Sequence, residues 1–96
     1  MAALTLTSPG RRPLRPLVEG AIHNELRVLE SGIRRTEERL RAFEDTYDLS
    51  TEAFLRRYEN DELQETLDYM ESIGEHRMLQ RLREKAETLR EIRFAD

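Results

Sequence analysis

Cysteine is absent from these 96 residues, so neither a disulfide framework nor a thiolate metal site can form, and nothing calls for an oxidising compartment. Long apolar runs are missing too, none approaching the roughly 20 residues needed to span a bilayer. Met1 to Pro9 has neither the charged start nor the apolar middle of a signal peptide. A cytoplasmic protein with no membrane contact is expected. Histidine occurs only at His23 and His76, and neither stands in a triad context that would activate a nucleophile. Paired Glu-x-x-His segments, phosphate-binding glycine loops and zinc spacings do not occur. Glu19 with His23, and Glu75 with His76, read as solvated helix positions. No catalytic residue, metal or cofactor is expected, and the chain is not expected to be an enzyme. Lys85 is the one lysine among 16 basic residues, a bias that fits a GC-rich prokaryotic genome.

What is present is helix. Hydrophobic and charged residues each make up 38% of the chain, a balance of long solvated helices rather than of one deep core. Ile22, Leu26, Leu29, Ile33, Thr36, Leu40, Phe43 and Tyr47 follow one another in strict steps of four and three. That 3.5-residue spacing keeps one stripe facing a partner helix, the signature of coiled-coil packing. The spacing predicts a first helix over residues 17–47, roughly 45 Å long. Gly20 and Gly32 each cost it about 1 kcal/mol relative to alanine and are expected off the seam. Thr36 is its one polar intrusion.

Ahead of this helix, Leu4 and Leu6 alternate with small or polar residues, as in a short strand or extended arm. Pro9, Gly10, Pro13 and Pro16 then forbid regular helix through residue 15. Residues 1–16 therefore read as an arm and linker, and residues 17–96 as the helical domain. Asp48-Leu49-Ser50 breaks the seam. With Ser50 as N-cap, Leu49 and Phe54 fall at the spacing of a hydrophobic staple, so a short helix begins there and ends near Glu59-Asn60-Asp61. A third helix is expected over residues 62–93 with apolar positions Leu63, Leu67, Met70, Ile73, Leu79, Leu82, Ala86 and Leu89. Gly74 stands where its halves change phase, the place for a bend.

Charge decides which helices pair. Seam positions Leu79, Leu82 and Leu89 are flanked by Arg83, Lys85 and Arg90, whereas the first helix is flanked by Glu25, Glu30, Glu37 and Glu44, with Arg39 the main exception. Pairing the first helix with the third opposes unlike charges, and pairing it with a copy of itself does not. The expected fold is all-α: an antiparallel hairpin of two long helices joined by a short one, with coiled-coil packing and Glu25 near Lys85. A two-helix hairpin buries little, and a dimeric bundle would reinforce it.

The charge is also unevenly spread. Residues 48–76 hold nine acids against Arg56 and Arg57, a local charge of −7, while residues 77–96 reverse the sign. Such a block repels phosphate backbones and attracts basic proteins. Nucleic acid is expected, if anywhere, only at the N-terminal arm with Arg11, Arg12 and Arg15, where a paired arm could lie in a DNA groove. Asp61, Glu65, Asp68 and Glu75 occupy roughly one helical face, which reads either as an ordinary wet surface or as a docking face for a basic partner.

The stretch from Tyr47 to Leu63, with its Ser50 cap, Phe54, Tyr58 and the turn into Glu62-Leu63, resembles small prokaryotic coiled-coil proteins on the antitoxin side of two-gene toxin-antitoxin loci. The resemblance covers roughly residues 20–90. Such proteins often have glycine where this chain has Asp61, so the turn into the third helix is expected to be more helical here. The resemblance implies a non-catalytic protein that binds and neutralises a small neighbouring toxin. Phe54, Tyr58, Tyr69 and Ile73 would be its anchors, and Asp61, Glu65 and Asp68 would steer the encounter. The competing expectations are a structural coiled-coil protein that only self-associates and a DNA-binding autoregulator whose arm, residues 2–8, pairs as a two-stranded β-ribbon in a DNA groove.

Overall fold

The computed structural model describes residues 1–60 and 67–95. Among them are three α-helices and no strand: α1 (Arg15–Tyr47), α2 (Thr51–Glu59) and α3 (Leu67–Glu91). The expected start of the third helix at Glu62, its apolar position Leu63 and the turn at Asp61 lie outside the described residues. Residues 1–14 carry no regular element, and Leu4 and Leu6 are exposed. The radius of gyration is 19.2 Å, against about 12.5 Å for a globular chain of this length, so the molecule is a rod with extents of 60 × 25 × 18 Å.

α1 starts two residues earlier than the prolines suggested. Leu14 is its N-cap without any side-chain hydrogen bond, and Pro16 lies in the first turn, where its missing N–H would have had no partner anyway. Arg15 Nε reaches Glu19 Oε1 at 2.8 Å. The helix ends where Asp48 adopts the left-handed conformation, φ 50° and ψ 46°, and the Leu49 N–H donates back to the Glu44 carbonyl. Ser50 then caps α2, its Oγ accepting from the Ala53 N–H at 3.1 Å. Glu44 Oε2 accepts from the Thr51 N–H at 2.7 Å, so one side chain of α1 also holds the start of α2. α3 runs through Gly74 as one helix and stops at Glu91, two residues short of the expected end. There Arg93 Nη1 donates to the carbonyls of Arg90 and Ile92, a side-chain answer to the unpaired acceptors of a helix C-terminus.

α1 and α3 pack together. The ion pairs between them, Glu30 with Arg90, Glu37 with Arg83 and Arg39 with Glu75, run in opposite order along the two helices, so they are antiparallel. Glu25 and Lys85 are not among these pairs. With Arg90 opposite Glu30, Glu25 falls level with the end of α3, and Lys85 is exposed.

All nine of Ile22, Leu26, Leu29, Ile33, Leu40, Phe43, Leu79, Leu82 and Leu89 are buried or half-buried. The fully covered seam of α3 is Ser72, Leu79 and Ala86, three positions seven apart. Thr36 is buried opposite it, and its Oγ1 donates to the Gly32 carbonyl at 2.8 Å, which satisfies the hydroxyl within its own helix. Gly32 is not off the seam: it is half-buried, and a Cβ there would stand 3.4 Å from Leu82 Cδ1. Its lack of a side chain lets Leu82 approach α1 closely.

Two positions expected on the apolar face of α3 are exposed instead. Leu67 and Met70 are 74% and 54% accessible, because the heptad through Ser72 and Leu79 turns them away from α1. Ile73, expected on that face, is buried, and Tyr69 beside it is half-buried.

Candidate partner-binding surface

Four of the six aromatic residues meet at the end of the rod where α1 leads into α2. Phe43 stands 5.1 Å from Phe54 and 4.5 Å from Tyr47 between ring centroids, and Tyr69 lies 5.2 Å from both Phe54 and Tyr47. These spacings and their tilted or edge-to-face angles are those of mutually attractive rings. Each helix contributes: Phe43 and Tyr47 from the last turns of α1, Phe54 from the middle of α2, Tyr69 from the first turn of α3. The cluster is what ties the short helix to the long pair.

Its interior and its rim differ. Phe54 is 1% exposed and Ile73 is buried, so neither can anchor a partner from the surface as the sequence suggested. Burying Phe54 under α1 and α3 is how a nine-residue helix holds its place. Tyr58 and Tyr69 are half-buried, and Asp68 is exposed. Asp61 and Glu65 lie outside the described residues. Glu75 is half-buried and paired with Arg39 at 3.2 Å, so it belongs to the α1–α3 contact rather than to a free acidic face. The Tyr47 hydroxyl donates to Asp68 Oδ2 at 2.8 Å. That bond to a carboxylate, helped by desolvation and by the nearby charges of Asp68 and Tyr69, raises the Tyr47 pKa above its ordinary value of 10.0.

The rim therefore offers the phenolic edges of Tyr47 and Tyr69 and the exposed carboxylate of Asp68. Among the described residues no group of histidines and acids is placed to hold a metal ion, and no helix is long and apolar enough to cross a membrane. At the opposite end, a shallow depression of about 360 Å³ has Ile22, Leu26, Leu89 and Phe94 in its lining. Its charged neighbours Glu19 and Arg90 are engaged with Arg15 and Glu30, and the Arg15 guanidinium stands 5.3 Å above the Phe94 ring.

Sequence reasoning missed the exposed residues Leu67, Met70 and Met78 as a surface. The signal was available, because they recur with Gly74 in steps of three, four and four. They form a second apolar stripe on a helix that already had one.

Comparison of the chain with protein families, with curated proteins and with solved structures finds no match.

Proposed function

We propose that this chain is a binding module of the antitoxin kind. In this reading α1 and α3 pair as an antiparallel coiled-coil hairpin, the hairpin dimerises, and its acidic end holds and neutralises a small basic toxin encoded beside it in a prokaryotic cytoplasm. The observation that carries the reading is the coincidence of negative charge with half-buried phenolic rings. The segment with a local charge of −7 comprises α2, which carries Tyr58, and the start of α3, which carries Asp68 and Tyr69 at the aromatic cluster. The likeness of residues 47–63 to antitoxin-side proteins supports it from the sequence.

Phenolic rims surrounded by carboxylates suit recognition of a basic protein. Aromatic edges supply contact area with little entropy to lose, and the charges raise the rate of encounter. Tyr58 and Tyr69 are the contact residues in this reading, and Asp61, Glu65 and Asp68 the steering charges. Phe54 and Ile73 act from beneath, fixing the positions of the helices that carry them.

Co-expression with the product of the adjacent gene, followed by light scattering on what co-purifies, tests the proposal. A stable complex together with relief of growth inhibition is the expected result. A chain that purifies alone beside a non-toxic neighbour overturns it and leaves a self-associating coiled coil. Asp61→Lys, Glu65→Lys and Asp68→Lys combined should slow association steeply at low salt and only slightly at high salt. An unchanged rate at low salt would remove the electrostatic part.

A further inference from the structure

The outward face of α3 carries a pattern that the contact with α1 does not use. Leu67, Met70, Gly74 and Met78 share one face by their spacing, turned away from the buried line of Ser72, Leu79 and Ala86. Leu67 is 74% exposed, Met70 54% and Met78 47%. Gly74 among them is exposed, and a Cβ built on it meets nothing within 4 Å. Its φ is negative like that of any helical residue. Among the described residues no turn, cap or close neighbour accounts for a glycine that costs a helix about 1 kcal/mol relative to alanine.

We infer that this face docks a second copy of the chain, α3 of one protomer crossing α3 of its partner in antiparallel sense with the two-fold axis at Gly74. The sequence around Gly74 has the symmetry that such a contact needs. Met70 and Met78 stand four residues to either side, and Glu71 and Arg77 three residues to either side. An antiparallel crossing at Gly74 brings Met70 level with the partner's Met78 and Glu71 level with the partner's Arg77, each twice, as an isologous interface demands. The absent side chain at Gly74 lets the two backbones approach at the crossing point, and the flexible thioethers of the methionines fill the angle between the diverging helices.

Charge selects the direction. Beside this face Glu71 stands before Gly74, and Arg77, Arg81 and Lys85 stand after it, whereas Asp68 is turned to Tyr47 and Glu75 to Arg39 on the α1 side. An antiparallel copy lays Glu71 of one helix on the basic half of the other, whereas a parallel copy lays like charge on like. A crossing of this length covers less than the roughly 800 Å² per partner of a standard interface, so the dimer is weak and concentration-dependent. The inference rests on the dimeric part of the reading above and is independent of the toxin.

Because the chain has no cysteine, single-cysteine cross-linking tests the geometry. Met70→Cys mixed with Met78→Cys should form a disulfide-linked mixed dimer under mild oxidation. Neither variant should link to itself, because two copies of the same position lie roughly 12 Å apart along the axis, beyond the ~7 Å reach of a disulfide. Self-linking of Met70→Cys without mixed linking overturns the antiparallel register. Sedimentation of the full chain from micromolar to millimolar concentration should show a monomer–dimer equilibrium that Gly74→Leu weakens about tenfold or more. Gly74→Ala should move two readouts in opposite directions, raising the melting temperature of the monomer while weakening the dimer. A dimer indifferent to both substitutions overturns this face and leaves the dimeric reading standing. A chain that stays monomeric at every concentration overturns both.

Discussion

The Tyr47 hydroxyl donates a 2.8 Å hydrogen bond to Asp68 Oδ2, joining the last turn of α1 to the first turn of α3. The bond requires the phenolic proton, and the Asp68 carboxylate holds that proton in place to higher pH than in an unfolded chain. A raised folded-state pKa means that the contribution is complete below the ordinary value of 10.0 and fades as pH rises through the folded pKa. Thermal melts through alkaline pH should show wild type losing stability more steeply than Tyr47→Phe. Parallel curves would show that the bond contributes nothing.

Ser72 occupies a fully covered position on the α3 seam, and its Oγ has no hydrogen-bond partner among the described residues. A buried hydroxyl without a partner costs its lost hydration. Ser72→Ala should therefore raise stability by about 1 kcal/mol in urea titration. A loss of stability would reveal a partner for the hydroxyl.

Asp48 ends α1 in the left-handed conformation and places a negative charge at the helix C-terminus. Both are mildly unfavourable, and glycine relieves both. Asp48→Gly should stabilise the chain by about 0.5–1 kcal/mol, and Asp48→Val should destabilise it, as measured by the shift in melting temperature.

Phe54 is the most deeply buried large side chain, in ring contact with both Phe43 and Tyr69. Phe54→Ala should cost about 3–5 kcal/mol, a large share of the stability of a small domain. The far-ultraviolet circular dichroism should show loss of α2 before α1 and α3 separate. Partner binding at the aromatic rim should fall with it, although Phe54 itself touches no partner.

The ion pair of Glu37 with Arg83 is 3.4 Å long between side chains that are 39% and 55% exposed. A double-mutant cycle of Glu37→Gln and Arg83→Gln should give a coupling below about 1 kcal/mol that vanishes in high salt. A larger, salt-resistant value would mean that the pair stabilises the fold rather than choosing its register.

Much of the architecture was legible from residue spacing. The seam of α1 ran unbroken from Ile22 to Phe43, and the Ser50 cap was announced by its own residue type and by Phe54 four positions on. The choice of α3 as the partner of α1 followed from Glu30 and Glu37 on one side and Arg83 and Arg90 on the other. Those features depend on neighbours within a turn or on the sign of a charge, which a sequence states directly. Gly32 was misplaced because its role lies across the interface, where Leu82 needs room. Phe54 was open to both a core and an anchor reading, because a short helix with three apolar residues does not say which of them it turns inward.

By itself, the sequence determined that the chain forms long helices, where α1 stops, and which signs of charge meet when helices pair. Local propensity, capping and the 3.5-residue repeat act within a single segment. The tertiary structure decided which of the two apolar stripes on α3 is interior. The line through Ser72, Leu79 and Ala86 presents small and medium side chains that let α3 lie close against Leu29, Thr36 and Leu40, while Leu67, Met70 and Met78 are left outside. Periodicity defines a stripe only up to its phase, and the phase is settled by the shape of the surface it must fit.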